Sequence, residues 1–237
     1  MFLIRSALIA FLITRPCFAN PWGGFYVGFV GGYESGNAKI CPETQKKPIP
    51  ANLFVGSFSG DFGYKGSKGD IIVGYGTTTG NHYSALEVAN IIYASRGKIT
   101  HTSIDHTMGN TDVLTLKVLR NESFNVSMRQ GYKINEDSLL YIKPGISSTK
   151  FNMTLINSSD VIPDINYVKS LSKRFNGFSF EIGIETKLNE RILVRVAGSH
   201  TAYRRKYFDI KPSYGGKLKF SPQAAQIKVG VIIPLHI

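Results

Sequence analysis

The sequence predicts an all-β chain: an eight-stranded antiparallel transmembrane β-barrel with short periplasmic turns and long extracellular loops. Three observations carry the prediction. Polar and apolar residues alternate along segments of 9 to 14 residues, the period of a strand whose two faces meet different surroundings. Tight and long connections alternate between those segments. A short apolar leader opens the chain. Composition agrees. The chain has 237 residues, with 43% hydrophobic, 19% charged and 12% aromatic. That is too apolar and too weakly charged for a disordered polymer. Its 24 Gly, 12 Tyr and 15 Phe favour strands and tight turns over helices.

The leader is residues 1–19. Arg5 supplies a positive start, Ser6–Thr14 a short apolar run, and Cys17-Phe18-Ala19 small residues around a cleavage position. The run is too short to span a bilayer as a helix, which takes about 20 residues. Cleavage after Ala19 removes Arg5 and Arg15 and no acid, taking the net charge from +12 to +10. It also leaves Cys41 as the sole thiol, so no internal disulfide forms. Residues 20–237 are then one barrel domain.

The eight strands are read at about 23–35, 69–77, 82–95, 122–134, 139–151, 175–187, 191–203 and 224–237. Residues 227–237 are the clearest. Ile227, Val229, Val231, Ile233, Leu235 and Ile237 share one face, opposite Lys228, Gly230, Ile232, Pro234 and His236. Phe178, Phe180, Ile182 and Ile184 alternate with Ser179, Glu181, Gly183 and Glu185. Ile192, Val194 and Val196 alternate with Leu193, Arg195 and Ala197, and Phe124, Val126 and Met128 with Asn125, Ser127 and Arg129. Tight turns are expected at 78–81, 135–138 and 188–190. Long polar stretches, 37–68, 97–121, 152–174 and 204–222, are expected as the loops at the other end. The first of these and residues 110–120 are also candidates to extend neighbouring strands beyond the membrane.

Beyond residue 19 no apolar run approaches the 18 residues of a membrane helix. A sheet in lipid must close on itself, because hydrocarbon satisfies no backbone donor or acceptor. A soluble barrel or sandwich shows the same alternation with the apolar face turned inward. The asymmetry of the connections favours the membrane form.

Trp22-Gly-Gly-Phe-Tyr-Val-Gly-Phe-Val-Gly-Gly-Tyr33 resembles the first strand of the opacity and porin-like superfamily of small outer-membrane proteins. Arg129–Tyr132, Asn135–Asp137 and Leu140–Gly145 are similar to its central hairpin, and Gly177–Arg195 to its penultimate one. The resemblance implies an eight-stranded barrel with both termini periplasmic and four surface loops. It also implies a surface antigen, adhesin or envelope-stabilising role, usually without enzymatic activity; no cofactor is expected. Members commonly end in Phe or Trp, read by the barrel-assembly machinery, whereas this chain ends in Ile237. Pro234 in the last strand lacks a ladder donor, so a gap or bulge is expected there.

With the apolar parity on lipid, Glu34, Glu87, Arg129, Lys143, Glu181, Glu185, Arg195 and Lys228 face the lumen. An eight-stranded barrel is barely wide enough for its own side chains. Charges inside it must pair or hold water. A salt-bridged plug and a narrow ion path through rearranging pairs are the leading readings; a catalytic carboxylate pair such as Glu181 with Glu185 is the third, and four residues of strand set those two too far apart for it. Glu87 with Arg129, and Glu181 with Arg195, are the expected pairs.

The surplus positive charge lies partly in the loops. Arg204, Arg205, Lys206, Lys211, Lys217 and Lys219 face Asp209 alone in 204–222. Arg204, Arg205 and Lys206 form a basic rim suited to lipopolysaccharide phosphates or an acidic host polysaccharide or receptor. No nucleic-acid motif accompanies the charge. There is no phosphate loop, HExxH or Gly-x-Ser-x-Gly. His200 sits where a lipid-A esterase barrel places a histidine, but Ala202 stands two residues on where such an enzyme has serine. The function expected is a non-enzymatic envelope structural protein or adhesin-like antigen of the bacterial outer membrane. A small porin-like ion channel is the alternative, and an outer-leaflet lipid hydrolase the third reading.

Overall fold

The computed structural model describes residues 22–43, 60–93, 95–105, 110–159, 167–211 and 216–235. The expected leader and Ile237 lie outside them. Ten strand segments run in chain order: β1 (Gly24–Glu43), β2 (Gly60–Thr79), β3 (His82–Tyr93), β4 (Ser95–Asp105), β5 (Asn110–Lys133), β6 (Ser138–Ser159), β7 (Tyr167–Asn189), β8 (Ile192–Tyr203), β9 (Lys206–Lys211) and β10 (Gly216–Leu235). All pair antiparallel. The order is β1-β10-β8-β7-β6-β5-β3-β2, and β2 pairs back onto β1. β4 continues β3 along β5, and β9 continues β8 along β10. The segments therefore make eight staves of a closed barrel, which leaves no unpaired edge in lipid.

One end of the barrel holds the three tight turns. Gly80 in the β2–β3 turn has φ +61°, where a side chain would be strained. The other two turns are fixed by asparagine oxygens. Asn135 Oδ1 accepts from the Asp137 amide at 3.0 Å, and Asn189 Oδ1 from the Arg191 amide at 2.9 Å. The start of β1 is tied to the same end. Trp22 Nε1 donates to Glu136 O at 3.3 Å, and Thr78 Oγ1 donates to Trp22 O at 3.0 Å.

Outward residues divide the wall into two zones. Next to the turns lies a girdle of exposed apolar side chains: Phe25, Phe29 and Tyr33 on β1, Phe178 to Ile184 on β7, and Ile227 to Val231 on β10. Phe25 and Tyr75 pack at its lower edge as a tilted pair with ring centroids 4.8 Å apart. On β1 the band spans Phe25 to Tyr33. At about 3.3 Å rise per residue and the usual tilt of about 40° this is roughly 20 Å, close to the apolar band of an outer-membrane barrel. Beyond it, toward the loop end, the outward positions turn polar: Ser35, Asn37 and Lys39 on β1, and Ser170, Ser172 and Arg174 on β7. This second zone is the crown.

The crown corrects the expected loops. The extensions expected over 110–120 and within 37–68 are present as the start of β5, the end of β1 and the start of β2, and 97–121 also contains most of β4. The stretch 152–174 is largely β6 and β7, and 204–222 contains β9 and the start of β10. These segments also alternate, but in the opposite sense. Leu116, Val118, Phe151, Met153, Leu218 and Phe220 are buried inside while polar residues face out. Average polarity conceals a strand whose outer face meets water. β5, β6 and β7 run to 24, 22 and 23 residues, about twice the 9–11 a membrane crossing needs.

Pro234 interrupts no ladder with β8. The last β8–β10 pair is Leu193 with Ile232, two residues before it. Opposite Tyr26 on β1 the register runs through without a bulge, where one was among the expectations.

Candidate functional site

The lumen is filled in layers. At the turn end an apolar floor of Trp22, Leu139, Leu193 and Ile232 closes the bore. Above it stand four charges, Glu87 and Glu185 with Arg129 and Arg195. Arg129 reaches Glu185 at 2.6 Å and Glu87 at 3.3 Å. Arg195 reaches Glu185 at 2.7 Å and Glu87 at 2.8 Å. Three tyrosines wall the quartet. Tyr26 Oη donates to Glu87 at 2.8 Å and Tyr141 Oη to Glu181 at 2.9 Å, while the Arg129 guanidinium lies 4.5 Å from the Tyr83 ring centroid. Gly74 and Gly183 point inward where a Cβ would collide with the Tyr26 and Tyr141 rings, so glycine makes room for the aromatic wall.

The pairing continues toward the loop end. Lys143 bridges Glu87 at 2.9 Å and Glu181 at 2.8 Å. Lys228 bonds Glu181 at 2.6 Å, and Lys68 bonds Asp70 at 2.7 Å. Gln226 links this group to the last pair, accepting from Lys68 at 3.0 Å and donating to Glu34 at 2.6 Å. Glu34 pairs with Arg120, which also bonds Tyr203. Ion pairs and hydrogen bonds thus lead from Arg129 near the floor to Arg120 under the crown, the step from Lys228 to Asp70 being an ion pair at 3.8 Å. Charges taken this far from water are tolerable because each has a partner of opposite sign.

Above Arg120 the bore turns apolar again. Phe151, Phe175, Phe208 and Phe220 pack with neighbouring ring centroids 5.3–6.1 Å apart, and Ile40, Tyr64 and Leu116 belong to the same cluster. The charged belt therefore lies between two apolar plugs. One void within it, about 20 Å³ beside Asn125, Ser179 and Lys228, has room for about one water molecule.

Glu34, Glu87, Arg129, Lys143, Glu181, Glu185, Arg195 and Lys228 all stand inside the barrel and in this one network. The partner of Arg195 differs from the expected one. Register places Arg195 opposite Glu185, and Glu181 opposite Ser199. Glu181 goes instead to the two lysines and Tyr141. Parity alone cannot distinguish Glu181 from Glu185, because both share a face.

Three network members escaped the sequence reading: Lys68, Asp70 and Arg120. Lys68 falls in a stretch read as surface loop, yet its side chain is fully buried. Arg120 has the wrong parity for the strand that follows it. Between Arg120 and Ser123 the β5–β6 register shifts by one residue, a β-bulge that turns Arg120 inward. Only pairing reveals such a shift.

Of the expected basic rim, Arg204 and Arg205 are exposed in the break between β8 and β9. Lys206 opens β9, its Nζ donating to Arg174 O at 2.6 Å. His200 and Ala202 are exposed on the outer wall, while Thr201 is buried inside. Among the described residues no group of three His, Cys, Asp or Glu comes together as metal ligands.

Over residues 6–232 the sequence matches the family described as outer membrane protein beta-barrel domain. The chain belongs to that family. Members sit in the bacterial outer membrane, and the girdle is the surface that lipid requires. Similar solved structures lie at low identity. Neisserial surface protein A is 11% identical, covering 89% of this chain and 96% of its own, with TM-score 0.43. The outer membrane protease OmpT from Escherichia coli is 10% identical over 89% and 96%, with TM-score 0.49. The attachment invasion locus protein Ail of Yersinia pestis is 11% identical over 87% and 99%, with TM-score 0.33. Membership of the family by itself selects no task. No curated protein matches the sequence.

Proposed function

We propose that this chain is a non-enzymatic surface protein of the outer membrane, an envelope structural protein or adhesin-like antigen. Its turns and both chain ends lie in the periplasm, and its crown projects from the cell. One observation supports this most: a belt of buried ion pairs, joined at Gln226 by hydrogen bonds, fills the bore between two apolar plugs. Ions crossing such a bore would have to break buried pairs and pass two dry layers. The acids and bases are spent on one another, away from any substrate. On the outer wall, His200 has Ala202 rather than a nucleophile beside it. What remains for recognition is the crown and its loops.

Planar-bilayer recording of the refolded protein tests the reading. The expected trace is flat at physiological salt and moderate voltage. Reproducible unitary conductance steps would replace it with the porin-like alternative.

A further inference from the structure

The crown carries a basic face that the lumen does not use. Three cross-strand neighbours on its outward side are like-charged: Lys65 opposite Arg96, Lys98 opposite Lys117, and Lys150 opposite Arg174. Directly opposed residues hold their Cβ atoms about 4.5–5.5 Å apart, and like charges so placed destabilise a sheet. One acid approaches the group, Glu122 at 3.7 Å from Arg174, with both side chains more than half exposed. Lys65, Arg96, Lys98, Lys117 and Lys150 make no ion pair among the described residues.

The register arranges these side chains as a grid. One row runs Lys98, Lys117, Thr154, Ser170; the next runs Arg96, Leu119, Asn152, Ser172. Cations thus stand on β4 and β5, and hydroxyl and amide groups on β6 and β7. Between them is a groove of about 710 Å³, which Lys150 also lines. Asn152 Oδ1 is shut off from solvent there without a hydrogen-bond donor. The exposed hydroxyl-bearing side chains Ser170 and Ser172 suit sugar hydroxyls, and the four cations that line the groove, Arg96, Lys98, Lys117 and Lys150, suit phosphate.

Position names the occupant. The groove opens sideways from the wall, not upward from the bore. Lys150 is four residues past Ile146, the last exposed apolar residue of β6, and Lys117 is seven past Phe124 on β5. With the strand rise and tilt used above, the cations stand about 10–18 Å beyond the edge of the girdle. An ordinary headgroup layer, about 5–8 Å deep, falls short of that height, whereas a headgroup built of several sugars reaches it.

We propose that this face binds the phosphorylated saccharide of an outer-leaflet glycolipid standing beside the barrel. The proposal rests on the orientation given under the proposed function. The glycolipid's phosphates lie between the opposed cations, and its sugar hydroxyls meet Thr154, Ser170 and Ser172. Binding relieves the like-charge repulsion, so the ligand stabilises the crown.

The test uses the full chain folded in micelles, titrated with lipopolysaccharide bearing core phosphates. Separate arms use the same lipopolysaccharide after dephosphorylation and a soluble sulfated oligosaccharide. Affinity and thermal midpoint are read together. Lipopolysaccharide should raise the midpoint of the parent. The triple variant Lys98→Gln/Lys117→Gln/Lys150→Gln should bind at least tenfold more weakly, yet melt above the parent when no glycolipid is present. Lys39→Gln, a crown cation on β1 away from the grid, should bind like the parent. The single variant Lys117→Gln should show the same two shifts in smaller measure, which covers a triple that folds poorly. Unchanged affinity in both Lys→Gln variants, or equal binding of the dephosphorylated form, overturns the proposal. Equal affinity for the soluble oligosaccharide overturns the membrane source and assigns the groove to a free glycan. A conducting barrel that still binds would sink the closed-lumen reading and leave this one standing.

Discussion

Girdle and crown are parts of one continuous sheet, and along β1 the contrast is plain. In the girdle Phe25, Phe29 and Tyr33 face out, while Tyr26, Val30 and Glu34 face in. In the crown Ser35, Asn37 and Lys39 face out, while Ala38 and Ile40 face in. The ladders to β2 and β10 continue past this boundary without a shift. Backbone pairing is indifferent to the change; only the surroundings of the two faces differ. The girdle is a membrane barrel and the crown a water-soluble one, stacked on the same staves. Alternation therefore reports two environments and does not say which of them is the core.

The largest expected effect tests the girdle's interior. Arg129→Ala leaves Glu185 and Glu87 to share Arg195 and gives the buried quartet an excess negative charge, and should cost about 3–5 kcal/mol in chemical denaturation from micelles. Where water enters to relieve the charge, bilayer recordings should show leak. A loss below about 1 kcal/mol would mean that the bore is already wet. The swap Glu87→Arg/Arg129→Glu should recover little, because the new arginine would sit between Lys143 and Arg195. Substantial recovery would show that Glu87 and Arg129 form an isolated pair.

The crown's interior should fail differently. Phe151→Ala removes a ring packed among Phe175, Phe220 and Tyr203 and should cost about 3 kcal/mol or somewhat more. No charge is stranded, so conductance should stay at the parent's level while protease nicks β6 or β7 beyond the girdle. Leak of the Arg129→Ala kind would mean that the crown plug, not the charged belt, seals the bore.

The outward faces give the sharpest contrast for one chemical change on one strand. Phe29→Arg puts a cation at the middle of the girdle and should cost about 2–4 kcal/mol. Asn37→Arg, eight residues on with the same parity, should lie within about 0.5 kcal/mol of the parent. Equal costs would move the lipid boundary. Refolding into lipid vesicles followed by urea titration measures both.

Much of the girdle was legible in the sequence because both of its faces leave a trace. Phe178 to Ile184 announce lipid, and Glu181, Glu185 and Arg195 between the apolar positions announce a polar bore. The crown was less legible. Its inner Phe151, Met153 and Leu155 alternate with Lys150, Asn152 and Thr154, and by mean polarity such a segment reads as loop. The network was legible in membership and not in pairing. Register decides whether Arg195 meets Glu181 or Glu185, and register follows from turns and bulges more than from composition. The cationic grid was invisible for the same reason, since Lys98 and Lys117 become neighbours only when β4 lies on β5.

The bulge in β5 has a consequence for how the gene can change length. Arg120 pairs with Phe151 and Ser123 with Thr149, so two residues of β5, Asn121 and Glu122, face one of β6, Lys150. Losing either codon leaves one residue against one and keeps every side chain on its own face. A deletion at Val126 has no such slack. One side of the strand would shift by a residue, sending either Arg129 toward lipid or Arg120 out of the bore, since side chains alternate with period two. Deletions accumulating in this chain should therefore be tolerated in β5 at 121–122 while the rest of that strand within the girdle keeps its length.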